Sequence, residues 1–372
     1  MRILIVYPKI FIYGGAELLV VKLCNYLSKM GIQNTLLTTS IIPEVADALN
    51  ETHVLIAEKP EKKNLYLHLW RSVRENIRHY DLLNVHNFPA ELAAFLCDIP
   101  VVWMCNEPEL HLIKSKYTST KQKITWNILA KAERHIVKKH IANVVVSDSF
   151  NAQRFSSLYG GIQPEIIHYG IDFQFFSAGD KHQARAKLGL GEKFAILHSG
   201  MITPLKNQLQ SLKALRGIIT HIPNPLLVFA GFWDDAYRAE LDTFISKYDL
   251  HRFVLFTGLI DRNALRDYYH ACDVLLQPIY SQGGWLSPFE ALCAETPIIV
   301  SKEMTAAYLI EIEQLGVVTD RYSDAIIDVF ENREKYQSVA ARTASWVEQN
   351  LSWDRFCEGM VQIFRNSLKV NN

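Results

Sequence analysis

The sequence predicts an α/β protein of two domains, each a doubly wound parallel sheet of Rossmann-like order. Three observations predict it. Short, continuous apolar runs recur along the 372 residues and suit strands buried on both faces of a parallel sheet. Each run ends in glycine or small polar residues and gives way to a helical pattern, the rhythm of repeated strand–helix units. The series restarts after a charged stretch at 180–193, where a second domain is expected to begin.

The first run, 3–7, leads into Gly14-Gly15-Ala16-Glu17. A helix is expected from there to about residue 30, because Leu18, Val21, Leu23 and Leu27 fall at helical spacing and Gly31 suits the C-terminal cap. The next strand is expected at 35–39. The glycine loop lacks the Gly-x-Gly-x-x-Gly spacing and no acidic residue closes the second strand, so a nicotinamide cofactor is disfavoured. Further strands are expected at 82–85, 100–105 and 144–146, ending at His86-Asn87, Asn106-Glu107 and Ser147-Asp148. Open parallel sheets bind ligands beyond the carboxyl ends of their strands. His86, Asn106, Glu107 and Ser147 are therefore candidate site residues, although each alone also fits a cap or a loop.

Residues 111–140 are strongly basic: Lys114, Lys116, Lys121, Lys123, Lys131, Arg134, Lys138 and Lys139 face one acid, Glu133. Trp126, Ile128, Leu129, Ile136 and Val137 interleave with them. A solvated helix face accounts for this pattern, and so does a peripheral surface meeting anionic lipid headgroups. No nucleic-acid reader motif accompanies the charges, and no nucleic-acid partner is expected. Residues 160–176 read as a connector. The domains are drawn as 1–178 and 179–350, with a helix within 351–372 expected to return to the first.

In the second half, strands are expected at 194–198, 226–230, 253–257, 274–277 and 298–301. The fourth feeds Tyr280-Ser281-Gln282-Gly283-Gly284-Trp285-Leu286-Ser287-Pro288-Phe289-Glu290. Ser287 fits an N-cap, Pro288 the first helical position, and Glu290 the far side of a capping box. A strand, a glycine turn and a helix N-terminus gather backbone N–H groups at one spot, a site for a phosphate or another anion. Read alone, Glu290 fits a cap and Gly283-Gly284 a tight turn equally well.

The totals agree with a soluble globular chain: 49% hydrophobic, 21% charged, and 39 basic against 39 acidic residues. Balanced charge predicts no polyanion partner. The six cysteines lie among apolar neighbours without a Cys-x-x-Cys pair, as expected of buried thiols in a reducing, cytoplasmic setting, and no run reaches the length of a spanning helix. Asp234-Asp235 lacks Asp-x-Asp spacing, and no metal is expected.

Several segments together resemble the retaining glycosyltransferases of family 4. They are Gly14-Gly15-Ala16-Glu17, Asn106-Glu107-Pro108, His168-Tyr169-Gly170-Ile171-Asp172, the run from Gly200 to Asn207, Gln282 to Glu290, and Ser352-Trp353-Asp354. The resemblance covers nearly the whole chain and implies the GT-B fold, two domains facing across a cleft. It implies that Glu290 holds the donor ribose and that Lys206 neutralises the diphosphate. Gly14 and Gly15 would approach the phosphates, with Gly200, Gly283, Gly284, Trp285, Leu286 and Ser287 on the donor. His86, Asn106 and Glu107 would face the sugar or acceptor. Three positions depart from the family pattern: Met201 replaces an arginine, Gln282 a glutamate and Asn106 a histidine. The implied activity is metal-independent, retaining hexosyl transfer from a nucleotide-diphosphate sugar, with no further cofactor, to a glycan or lipid-linked acceptor. A non-catalytic sugar-nucleotide-binding subunit and a sugar-nucleotide epimerase are the alternatives.

Overall fold

The computed structural model describes residues 1–57, 65–106, 120–280 and 283–369. It divides into two compact units, Met1–Gly170 with Trp353–Asn372, and Ile171–Ser352.

In the first unit, β1 (Arg2–Val6), β2 (Gln33–Thr38), β3 (His53–Ile56), β4 (Leu82–His86), β5 (Val101–Met104), β6 (Asn143–Val146) and β7 (Glu165–Ile166) form a sheet in the order β3-β2-β1-β4-β5-β6-β7. Every pairing is parallel. The order reverses between β1 and β4, which makes their carboxyl ends the switch point of this sheet. β1 shows why its run is uniformly apolar. Ile3 and Ile5 enter one core with Leu19, Leu23 and Leu27 of helix Gly15–Lys29, while Leu4 and Val6 enter another with Leu69, Val73 and Trp103.

Helix Trp353–Lys369 completes the first core. Its buried Phe356, Met360 and Phe364 recur at helical spacing and join Ile3, Ile5 and Leu23. The chain leaves this unit at Gly170, where a Cβ would stand 2.4 Å from the Trp353 backbone. Rigid backbone cannot yield there, so Gly170→Ala is expected to destabilise the unit by about 1–3 kcal/mol, read as a lowered Tm. An unchanged Tm would contradict this packing.

The second unit holds β8 (Phe194–Ser199), β9 (Pro225–Ala230), β10 (Val254–Gly258), β11 (Val274–Gln277), β12 (Ile298–Val300) and β13 (Val317–Val318). Their order is β10-β9-β8-β11-β12-β13, again all parallel, with the switch point between β8 and β11.

The boundary lies at 170/171, not at 178/179. Residues 171–178 are tied into the second unit: Asp172 pairs with Arg262 at 2.7 Å, and the His270 Nε2–H donates to the Phe176 carbonyl at 2.8 Å. Likewise the Ile171 N–H donates to the Leu351 carbonyl at 2.8 Å, which keeps Leu351 in this unit and moves the second boundary to 352/353. Edge strands β3 and β13 had no counterpart among the expected strands; one is half exposed and the other has two residues.

Candidate functional site

At the second switch point, β8 ends at Ser199 and β11 at Gln277. Gln277 Nε2 donates to the Ser199 carbonyl at 2.8 Å and to its hydroxyl at 3.3 Å, which locks the two strand ends together. Gly200 follows with φ of +121°, a conformation that favours glycine. Ile202 is fully buried and anchors the loop, whereas Met201 is 42% exposed. Asn207, with φ of +62°, stands at the start of helix Gln208–Ile218 and donates through Nδ2 to the Pro278 carbonyl at 2.9 Å. The Tyr280 N–H donates to the Leu205 carbonyl at 2.8 Å. These bonds bring the 200–207 loop against the segment that follows β11, at Pro278 and Tyr280.

Lys206 closes this arrangement, its ammonium donating to the Gly283 carbonyl. A Cβ on Gly284 would lie 2.2 Å from Ile279 Cδ1 and 3.5 Å from Lys206 Nζ. Glycine at 284 therefore makes room for the Ile279 side chain.

The following helix is Leu286–Cys293, with Trp285 at the N-cap position and no side-chain cap. The expected capping box does not form. The helix starts before Ser287, so Ser287 lies inside the first turn and Pro288 is not the first helical residue. By helix geometry the amides of Leu286 and Ser287 have no acceptor within the helix, and Pro288 carries no N–H. The Glu290 carboxylate turns elsewhere: it accepts the Tyr269 hydroxyl at 2.9 Å on Oε2. It is 9% exposed, and burial pushes its pKa up to about 7 against the help of Tyr269. Nearby, His198 is fully buried, with Nδ1 2.8 Å from the Ser211 hydroxyl. Burial and, secondarily, Lys206 bring its pKa down to about 3, so this imidazole stays neutral.

The first unit carries a second polar assembly at its switch point. Tyr169 donates to Asn106 Oδ1 at 2.7 Å, Asn106 Nδ2 to Asn87 Oδ1 at 2.8 Å, Asn87 Nδ2 to the Tyr7 hydroxyl at 2.9 Å, and Tyr7 to Glu17 Oε1 at 2.7 Å. The other oxygen of Glu17 accepts the Gly14 N–H at 3.2 Å. Each donor in this chain points towards the Glu17 carboxylate. Burial first, then Glu17, holds the Tyr7 phenol protonated far above the usual tyrosine range. Tyr7→Phe would remove the last donor before the Glu17 carboxylate; the expected result is a Tm lower by a few degrees, with a loss of about 1–3 kcal/mol.

The chain matches the model of glycosyl transferases group 1 over residues 180–346 and that of glycosyltransferase family 4 over residues 13–175. It belongs to the group 1 glycosyltransferases. It is 23% identical over 237 residues to the GDP-mannose-dependent alpha-(1-6)-phosphatidylinositol monomannoside mannosyltransferase of Mycobacterium tuberculosis, across 60% of this chain. The match spans 61% of that relative's own length. Anabaena Alr3699/HepE in complex with UDP-glucose superposes with a TM-score of 0.82 at 18% identity, covering 98% of this chain and 100% of that one. Sucrose-phosphate synthase from Thermosynechococcus elongatus gives a TM-score of 0.81 at 18% identity, covering 99% of each chain. These likenesses show the fold, two parallel-sheet α/β domains of the GT-B class.

Within this group 1 glycosyltransferase, the second unit brings together Gly200, Lys206, Gly283, Gly284 and the start of the Glu290 helix. Gln282 and Glu107 lie outside the described residues. Gly14 precedes helix Gly15–Lys29, so Gly15 is the first helical residue and not part of a loop. His86 is fully buried, with Nε2 2.8 Å from Asn84 Oδ1, and burial lowers its pKa to about 3. Ser147 is buried as well. Asp234 is an N-cap, accepting the Tyr237 N–H at 2.9 Å, rather than a loop residue. Glu133 is buried and accepts the Tyr159 hydroxyl, so it does not share the exposed face of Lys131, Lys138 and Lys139.

Tyr269, Ser199 and Gln277 were not among the candidates, and neither was Tyr7. Gln277 carried a signal: a polar residue closing the apolar run Val274-Leu275-Leu276 must bond to something inside the fold. Tyr269 carried none, since a tyrosine on an amphipathic helix fits core packing equally well.

Proposed function

We propose that the protein transfers a hexose-type sugar from a nucleotide-diphosphate donor to an acceptor hydroxyl with retention of anomeric configuration. One observation carries this reading: a buried carboxylate, Glu290, on a helix whose first turn adjoins a glycine turn bonded to Lys206. A carboxylate suits a vicinal diol such as ribose, and helix-start amides with an ammonium suit a diphosphate. The new bond joins the acceptor oxygen to the anomeric carbon as the bond from that carbon to the phosphate oxygen breaks. The proton of the acceptor hydroxyl passes to the departing phosphate oxygen, so the residues position and stabilise charge rather than act as a base. Neither a metal nor a further cofactor enters this scheme.

The relatives support the class of donor without choosing one. The mycobacterial relative is named for GDP-mannose, and Alr3699/HepE was crystallised with UDP-glucose. A thermal-shift panel of GDP-, UDP- and ADP-sugars tests the reading: a donor at 100 times its Kd stabilises the fold by about 2.7 kcal/mol. Transfer is then followed by chromatography, and the anomeric configuration of the product by NMR. No shift with any donor would overturn the assignment, and binding without transfer or hydrolysis would favour the non-catalytic subunit. A lipid-linked acceptor draws support from the exposed Lys131, Lys138 and Lys139 on helix Thr120–His140. Flotation with anionic vesicles at low salt, lost at high salt, is the expected result.

A further inference from the structure

The Glu290 carboxylate does not stand alone at the second switch point. Tyr269, on helix Arg262–Ala271, is fully buried and its ring packs edge-on against Phe176, with centroids 5.7 Å apart. Thr296 Oγ1 donates to the Tyr269 carbonyl at 2.5 Å. The ring is therefore enclosed and the backbone behind it anchored. The phenol oxygen lies 2.9 Å from Glu290 Oε2 and 3.2 Å from the Ser199 hydroxyl. A phenol has one proton. When that proton goes to the carboxylate, the Ser199 hydroxyl donates to the phenol oxygen, which the Ser287 side chain also reaches, and Gln277 Nε2 in turn donates to Ser199 at 3.3 Å. The result is a one-way chain of donors, Gln277 to Ser199 to Tyr269 to Glu290, which starts at the ends of β11 and β8.

We propose that Tyr269 is the positioning residue of Glu290: its hydroxyl donates to Oε2 and fixes the direction of the carboxylate, with Ser199 and Gln277 orienting the phenol. A donor ribose then meets a carboxylate whose orientation is set and one of whose oxygens is already engaged. The functional consequence rests on the transferase reading above; the geometry does not.

The charged and titratable neighbours of Glu290 come from each element packed on it. Helix Arg262–Ala271 supplies Tyr269 and Arg262, and the segment before helix Phe173–Ser177 supplies Asp172. The helix of Glu290 itself adds Cys293, and helix Arg333–Asn350, packed alongside, places Glu348 near that thiol. Burial raises the Glu290 pKa, Tyr269 and then Arg262 lower it, and Asp172 raises it. Tyr269 is thus the strongest of the groups that favour the ionised form.

The experiment is a carbon-13 NMR titration of the ligand-free full chain with labelled glutamate carboxyls, the Glu290 signal being assigned by its loss in Glu290→Gln. Tyr269→Phe is expected to raise the Glu290 midpoint by about one to two pH units, as loss of a hydrogen bond to a charge implies. Ser199→Ala, which leaves the phenol in place, is expected to raise it by less. Should Tyr269→Phe fail to fold, Ser199→Ala alone decides. An unmoved midpoint in the folded variants would overturn the proposal, because a tyrosine that only fills space would leave the titration where it was. A parallel measurement of donor affinity is expected to show Tyr269→Phe losing more at pH 6.5 than at pH 9. The titration needs no donor, so failure of donor binding in the wild-type chain and failure of this proposal are seen separately.

Discussion

Lys206→Met is expected to lower the rate of sugar transfer at saturating donor by about 10²–10³-fold, the loss typical of a group that stabilises charge appearing in the transition state. The methionine side chain is of similar reach but carries no charge. Lys206 sits on a loop fixed at both ends, by buried Ile202 on one side and by Asn207, whose amide holds the Pro278 carbonyl, on the other. Its ammonium already donates to the Gly283 carbonyl. Such a charge needs little reorganisation when a diphosphate departs. Arg at 206 would restore the charge but not the shape, since a planar fork replaces a compact point charge in a close-packed turn; partial rescue is expected. The measurement is steady-state transfer with the Tm as control. A folded Lys206→Met variant with a kcat within a factor of two of wild type would remove Lys206 from the reaction.

Glu290→Gln is expected to act in two opposite directions. Donor affinity should fall by about 10–100-fold at pH 8, because an amide is a weaker acceptor for ribose hydroxyls than a carboxylate. The ligand-free fold should at the same time become more stable at that pH. The sign follows from burial, which raises the folded-state pKa from 4.5 to about 7. An acid with a raised folded pKa binds its proton more tightly when folded, so its contribution is fully favourable below pH 4.5 and is lost as pH rises through about 7. At pH 8 the ionised group costs about 3 kcal/mol, which a neutral amide of the same shape avoids. The Tm difference between variant and wild type should therefore be large at pH 8 and small at pH 4.5. Equal Tm differences at both values would show that Glu290 titrates normally. The same shift makes the wild-type donor affinity pH-dependent, weakening as pH falls below about 7 and the carboxylate takes up its proton.

The two parallel sheets could be read from the sequence because burial on both faces leaves a one-dimensional trace. The run Ile3-Leu4-Ile5-Val6 has no polar residue to alternate, and each of its side chains is buried. Two edge strands leave no such trace: Val317-Val318 is too short, and His53–Ile56 is half exposed. The site was legible where its residues are close in sequence, as in the turn from Gly283 to Glu290, and where a residue type has few other uses, as at Lys206. It was misread where a local rule offered an equally good partner. Ser287 and Glu290 have the spacing of a capping box, but Tyr269, 21 residues away, takes the carboxylate instead.

Spacing and apolar period fixed the fold class, the domain count and the glycine turn, because these follow from interactions between near neighbours along the chain. Only the tertiary structure decided that Gly170 yields to Trp353, that Asp172 belongs with Arg262, and that Glu290 answers to Tyr269. Each of those pairs joins residues brought together by the sheet order. A carboxylate's charge and direction depend on what the fold leaves beside it once water has been removed.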